Sequence, residues 1–335
     1  MATVIQIKGI VQGVGFRPHV WKLATELGLS GFVRNDSDGV YIQIERGDAD
    51  RFINALKAEP PPLSKITDFI VSEPRMNANE RELGKGFVIL ESEEGAEKNV
   101  QISPDISICD DCLRELFDKN DRRFGYPFIN CVNCGPRYSI IKDLPYDRPG
   151  TSMAGFELCP DCAREYSDPS DRRYHAQPVA CPVCGPRLWF SNVEAASSRF
   201  RTRQDAASTN WKSQWNVFIK SGKIIAVKGI GGFHLACDAL NADAVAELRR
   251  RKARENKPFA LMVPDLDWVK EICELNEAEE KLLTSRERPI VLLKVKEKFQ
   301  TLEQLAPNLG TLGVMLPYTP MHHLIFDALK RPLVM

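Results

Sequence analysis

The chain reads as an α+β protein of several domains, and three observations carry that reading. Strand-like alternation and helix-like stripes take turns over residues 1–91, cysteines dominate 104–190, and an α/β pattern resumes from about 205. At 335 residues and 43% apolar content, the length suits two or three domains with real cores. Lysine plus arginine number 45, and so do aspartate plus glutamate, which argues against broad electrostatic capture of nucleic acid or an anionic membrane. No stretch has bilayer-spanning apolar length, and the start of the chain lacks a signal-peptide pattern. Most of the cysteines sit in metal-like spacing, and Cys237 and Cys273 are scattered, which fits a reducing compartment. A soluble, cytoplasmic protein is expected.

The first region is justified element by element. Ile5 and Ile7 alternate with polar neighbours as a strand, and Val20, Leu23, Ala24 and Leu27 form the stripe of an amphipathic helix that Gly28 ends. Ser30–Arg34 and Val40–Glu45 read as a hairpin across Asn35-Asp36-Ser37-Asp38-Gly39. Asp48 is placed to cap a second helix carrying Phe52, Ile53 and Leu56, which Pro60-Pro61-Pro62 stops. Strands near Ile66–Val71 and Phe87–Leu90 complete a β-α-β-β-α-β order, that of a ferredoxin-like unit. Between the first strand and helix lies Val11-Gln12-Gly13-Val14-Gly15-Phe16-Arg17. Its glycines let backbone amides converge, the helix start adds partial positive charge, and Arg17 adds a fork of donors matched to phosphate. Such a loop is an anion cradle.

Residues 92–103 are polar and read as a linker. Four Cys-x-x-Cys pairs follow: Cys109/Cys112, Cys131/Cys134, Cys159/Cys162 and Cys181/Cys184. The second half repeats the first at an offset of fifty residues, Asp121-Arg122-Arg123 matching Asp171-Arg172-Arg173 and Gly135-Pro136-Arg137 matching Gly185-Pro186-Arg187. Two knuckles joined by fifteen to twenty residues are the spacing of a structural zinc site, so two zinc ions are expected rather than disulfides or redox pairs. Spacing leaves open whether consecutive pairs or interleaved pairs share an ion; the repeat favours consecutive ones. Four thiolates saturate an ion, which leaves no position for substrate or for His175 as a fifth ligand. The intervening segments lack residues for a large core, so metal is expected to supply much of the folding energy. Asp121–Phe124 and Asp171–Tyr174 suit either contact with a partner or salt-bridged packing around the knuckles.

After a polar connector, Ser191 to about Gln214, Ile224–Val227 reads as a buried strand leading into Lys228-Gly229-Ile230-Gly231-Gly232-Phe233-His234. That loop has neither a Walker ending nor dinucleotide spacing. A helix from about Asn241 to Glu255 turns Val245 and Leu248 inward and ends in Arg249, Arg250, Arg251, Lys252, Arg254 and Lys257, before a strand over Phe259–Val263. So many cations at one helix end suggest phosphate contact beyond dipole complementation.

Resemblances add to this. Gly9-x-Val11-Gln12-Gly13-Val14-Gly15-Phe16-Arg17 with Gly31-Phe32-Val33-Arg34-Asn35 and Asp38-Gly39 resembles the acylphosphatase family. That implies that Gln12, Gly13, Val14, Gly15 and Phe16 bind phosphate, that Arg17 holds it, and that Asn35 positions the attacking water. Lys252-x-Arg254-x-x-Lys257-Pro258-Phe259, with Asp238-Ala239-x-Asn241, Ser285-Arg286-x-Arg288-Pro289 and Leu312–Pro317, is similar to the YrdC/Sua5 family. It implies a twisted α/β sheet making carbamoyl-type adenylates from ATP, with Lys228, Lys252, Arg254, Lys257 and Ser285 toward nucleotide or carbamate. The Lys228–Gly232 loop departs from that family's Pro-Thr-x-Thr stretch.

The order of an acylphosphatase-like domain (1–91), a duplicated four-cysteine zinc-finger domain (104–190) and a YrdC-like domain (205–335) resembles the HypF-type carbamoyltransferases of hydrogenase maturation. That resemblance implies hydrolysis of carbamoyl phosphate to carbamate, activation with ATP and Mg to carbamoyl adenylate, and transfer to a cysteine of a HypE-type partner. Zinc removal is expected to uncouple the steps while sparing hydrolysis. The apolar run at Arg331–Met335 reads as a strand just starting, so a truncated third domain without the transfer domain is expected. Competing readings are a threonylcarbamoyl-adenylate synthase, dependent on threonine and bicarbonate, and a zinc-stabilised RNA- or protein-binding scaffold.

Overall fold

A computed structural model describes residues 2–73, 86–93, 101–188, 211–297 and 304–335. Most of the linker at 92–103 and most of the connector at 191–214 lie outside the described residues. By its contacts the chain forms two compact units, one of residues 1–112 and 129–186, the other of 113–128 and 187–335.

The first unit opens with β1 (Thr3–Ile10), α1 (Phe16–Glu26), β2 (Ser30–Asp36), β3 (Gly39–Arg46), α2 (Ala49–Ala58), β4 (Lys65–Ser72) and β5 (Phe87–Ile89). The strands lie in the order β4-β1-β3-β2-β5, with β1 antiparallel to both β3 and β4 and β5 parallel to β2. Alternation decides which side chains go inside: Ile5, Ile7, Val33, Val40, Ile42 and Ile44 meet Phe16, Val20 and Ala24 of α1 and Phe52 and Leu56 of α2 in one core. Asp48 Oδ1 accepts from the Arg51 N–H at 2.9 Å, which satisfies an otherwise orphan donor at the start of α2.

The cysteine region carries α3 (Asp110–Phe117) and α4 (Pro160–Ser167), one per repeat, each directly following a knuckle cysteine or including one. Its small interior mixes apolar side chains such as Leu116, Ile129 and Val179 with arginines: Arg123 and Arg137 are among the largest fully buried side chains, and Arg173 is 4% exposed. The guanidinium groups of Arg137 and Arg173 satisfy backbone carbonyls, as where Arg173 Nε donates to the Asn130 carbonyl at 3.1 Å.

The second unit holds α5 (Trp211–Lys220), β6 (Ile225–Lys228), β7 (Phe233–Asp238), α6 (Ala242–Arg251), β8 (Ala260–Met262), α7 (Leu266–Ile272), α8 (Glu277–Thr284), β9 (Val291–Lys294), β10 (Thr311–Met315), α9 (Pro320–Leu329) and β11 (Leu333–Val334). Its six strands run β6-β7-β11-β8-β10-β9. Neighbouring residues face opposite ways, so Leu261 and Val334 join a core with Val245, Leu248 and Leu283. Met262 and Leu333 join a second core with Trp215, Ile219, Ile325 and Phe326. The sheet is therefore covered on both faces. α6 stops at Arg251, four residues short of expectation, because Ala253 takes φ of 45° and the chain turns there.

Candidate active site and metal centres

The loop between β1 and α1 is shaped by Gly13 and Gly15, whose φ values of 72° and 73° lie where side chains are disfavoured. A Cβ on Gly13 would also come within 3.2 Å of Arg137 and Tyr146. Among the described residues, no hydrogen bond takes up the N–H groups of Gly13, Val14 or Gly15, and the first turn of α1 has no acidic residue. Free amides beside a helix start suit an anion. Gln12 anchors the loop: Nε2 donates to the carbonyls of Asp36 at 2.7 Å and Gly39 at 2.8 Å, and Oε1 accepts from the Tyr146 N–H at 3.0 Å.

Arg17, in the first turn of α1, is 7% exposed. Its Nη2 donates to Asp147 Oδ1 at 2.8 Å and its Nη1 to Ser92 Oγ at 3.2 Å. Asn35 is buried near the end of β2; with its amide oxygen turned toward the guanidinium it accepts from Nε and Nη2, both at 3.2 Å. The two residues that the acylphosphatase resemblance pairs are thus brought together.

The cleft over this loop contains about 370 Å³ of empty space, counting the part open to solvent. It is lined by the loop, Arg17 and Asn35 and, from the cysteine region, by Val132, Arg137, Tyr146 and His175–Pro178. Arg137 ties the two regions together. Its Nη2 donates to the carbonyls of Cys131 at 3.1 Å and Val132 at 2.9 Å, its Nη1 to those of Cys134 at 3.1 Å and Pro136 at 2.8 Å, and its Nε to the Gly13 carbonyl. One buried guanidinium therefore joins a cysteine knuckle to the anion loop. Burial and the nearby Arg17 push the His175 imidazole down to about 4, so it is neutral near pH 7.

The cysteines gather as two sets of consecutive pairs, Cys109, Cys112, Cys131 and Cys134, then Cys159, Cys162, Cys181 and Cys184, with the sulfurs of each set all within 4.8 Å of one another. Neighbouring Sγ atoms stand 3.7 and 3.8 Å apart in the first set and 3.6 to 3.7 Å in the second. A tetrahedral ion with metal–sulfur bonds of about 2.3 Å would place its sulfurs about 3.8 Å apart, whereas a disulfide needs about 2.05 Å. The geometry fits an ion and not a bridge. Within the first set, hydrogen bonding among the sulfurs drives the Cys109 thiol down and the Cys112 thiol up. These four acids cannot all keep or lose their protons without conflict, which a bound cation removes. Arg172 of the second repeat donates to Cys112 Sγ at 3.2 Å, so the repeats interlock around the first set.

In the second unit, Lys228 at the end of β6 lies over the Phe233 ring at 4.8 Å. Lys252 caps α6, and burial and then its charge push the His234 imidazole down. Arg254 donates to the Pro258 carbonyl at 2.9 Å and lies 5.3 Å from the Phe259 ring centre. Arg249 spends its donors on the carbonyls of Gln304, Leu305, Arg254 and Lys257, so part of the basic cluster closes the helix end. Lys257 is exposed and Ser285 half-buried at the end of α8. Lys252 is near enough to His234 for its charge to be felt, while Lys228, Lys257 and Ser285 have no described contact with either.

Motif reading missed Arg137, Tyr146 and His175, which line the cleft, and Asp147, which holds Arg17; all four belong to the cysteine region and come there only through the fold. One signal for His175 was present: fifty residues earlier the repeat has Gly125.

Family models match three stretches: acylphosphatase over residues 3–89, the HypF finger over 108–141 and 158–191, and the Sua5/YciO/YrdC family, described as telomere recombination, over 217–335. Carbamoyltransferase HypF2 of Cupriavidus necator is 48% identical over 334 residues, covering 98% of this chain and 40% of its own. HypF of Synechocystis is 49% identical over 334 residues, covering 98% of this chain and 42% of its own. An acylphosphatase of Ligilactobacillus salivarius is 43% identical over 72 residues, 21% of this chain and 80% of its own. The crystal structure of full-length HypF in its phosphate- and nucleotide-bound form superposes with a TM-score of 0.87 at 47% identity, covering 100% of this chain and 42% of that one. The chain thus spans about two fifths of the length of the HypF relatives it matches.

Proposed function

The chain belongs to the HypF family of carbamoyltransferases, and from that premise we propose that its cradle hydrolyses carbamoyl phosphate to carbamate. The carrying observation is the buried Arg17–Asn35 pair beside three free loop amides. The phosphoryl group sits on the amides of Gln12–Phe16 and against Arg17, which neutralises charge gathering on its oxygens. Asn35 orients a water in line with the bond to be broken. A new P–O bond forms to that water, the bond from phosphorus to the carbamoyl oxygen breaks, and carbamate departs with the electron pair. The water's proton ends on the released phosphate, so no side-chain base is needed.

The sheet unit then activates carbamate with ATP and Mg to a carbamoyl adenylate, with Lys228, Lys252, Arg254, Lys257 and Ser285 toward the ligands. The matched YrdC-type model supports this step. The activated carbamoyl group is meant for a cysteine of a HypE-type partner in the cytoplasm, a transfer assigned to the further length of the HypF relatives, of which this chain spans about two fifths. Among the described residues, no helix is long and apolar enough to cross a membrane. We divide the chain for these tasks at 1–91, 104–190 and 205–335. Each set of four cysteines holds one zinc ion, whose chemistry is structural.

The test is release of phosphate from carbamoyl phosphate, followed by carbamoyl-phosphate-dependent release of pyrophosphate from ATP. Arg17→Ala should abolish both and Lys252→Ala only the second. Unimpaired phosphate release by Arg17→Ala would sink the assignment of the cradle.

A further inference from the structure

We propose that His175 reads the acyl end of the substrate, accepting a hydrogen bond from the amino group that carbamoyl phosphate has and an alkyl acyl phosphate lacks. This rests on the acyl-phosphate reading of the cradle. The two repeats provide an internal comparison. His175 stands fifty residues after Gly125, and both lie in left-handed backbone, with φ of 54° and 66°. Both donate their N–H to equivalent carbonyls, His175 to Tyr166 at 3.0 Å and Gly125 to Leu116 at 2.8 Å. Glycine adopts that conformation freely, whereas histidine, though among the side chains that visit it more often, takes on some strain there. The second repeat carries this strain at a turn that lines the same cleft as Arg17. Strain of this kind persists where surrounding contacts hold it and function uses it.

The ring is fixed in place. It stacks on Tyr166 with centroids 5.2 Å apart and meets the edge of Tyr174 at 4.5 Å, while Gln177 Nε2 donates to the His175 carbonyl at 2.9 Å. Among the described residues, nothing hydrogen-bonds to either ring nitrogen. Its lowered pKa keeps it neutral, so one nitrogen offers a lone pair. Carbamoyl and acetyl groups are nearly isosteric, so a pocket shape cannot separate them and a hydrogen-bond acceptor can. The Ligilactobacillus salivarius acylphosphatase, of which 72 residues make up 80%, is too short to carry such a wall.

The experiment compares phosphate release from carbamoyl phosphate and from acetyl phosphate by the unaltered chain, His175→Gly and His175→Asn. In His175→Gly the ratio of kcat/KM values, carbamoyl over acetyl, should fall roughly three- to tenfold. His175→Asn, which tolerates left-handed backbone and offers an amide oxygen, should recover most of it. The glycine variant carries the first repeat's own residue and relieves strain; equal metal content in all three proteins checks that the repeats fold. An unchanged ratio, or equal losses on both substrates, while Arg17→Ala still abolishes release, overturns this inference alone. No release from either substrate by the unaltered chain overturns the acyl-phosphate reading and this inference with it.

Discussion

Arg17 is held by a carboxylate, a hydroxyl and an amide, and on the proposed reading, in which it must also receive a dianion, it feels each of them. Asp147 orients the guanidinium but sets a negative charge beside the incoming phosphate. Asp147→Ala should therefore bind inorganic phosphate more tightly by calorimetry, yet turn over carbamoyl phosphate about tenfold more slowly, since a loosened guanidinium stabilises the transition state less well. Arg17→Ala should cost at least about 10²-fold in kcat/KM, as loss of a charge-stabilising donor does. At this scale the sequence was informative where chemistry is local. Arg17 and Asn35 stand out because a glycine loop and a strand end announce them. Asp147 lies 130 positions from Arg17, and no periodicity or motif links residues whose meeting depends on how two regions pack.

Elements were legible where their own pattern decides them. The alternation of Val40, Ile42 and Ile44 and the Asp48 cap needed only neighbours in sequence. The cysteine region was harder: its sequence pointed to a small core and to packing around the knuckles, but nothing in the spacing announces that the buried Arg137 and Arg173 satisfy backbone carbonyls. In the second unit, α9 carries a further case. His322 is 0% exposed, and among the described residues neither ring nitrogen has a hydrogen-bond partner. Burial pushes His322 down to about 3 and, in the next position, His323 down to about 4. Folded, both stay neutral; unfolded, both take up a proton below about pH 6.5. The unfolded state thus binds more protons between pH 6.5 and about 4, and stability of this unit falls with pH through that window. His322→Leu should flatten that dependence, with its melting temperature relative to the unaltered chain rising between pH 8 and pH 5; a parallel shift at both values would contradict the assignment.

For the whole molecule, the metal sets matter beyond their own fold. The sequence suggested that removing zinc would leave hydrolysis intact. Arg137, however, binds the carbonyls of Cys131, Val132, Cys134 and Gly13, so a knuckle that loses its ion releases the loop it braces. Treatment with a strong chelator should lower phosphate release from carbamoyl phosphate by about tenfold or more, and zinc addition should restore it; measuring release against metal content decides the matter. The sheet of the second unit has another property of this kind. β11 occupies the slot between β7 and β8, pairing Val334 with Cys237 on one side and Leu261 on the other. During synthesis, β7 and β8 leave the ribosome long before that last strand exists, so two inner strands wait with bare N–H and C=O rows facing each other across a gap. Until residue 334 emerges, this half of the protein offers any passing strand a place to pair, and a nascent chain in that condition is a natural client for a holding chaperone.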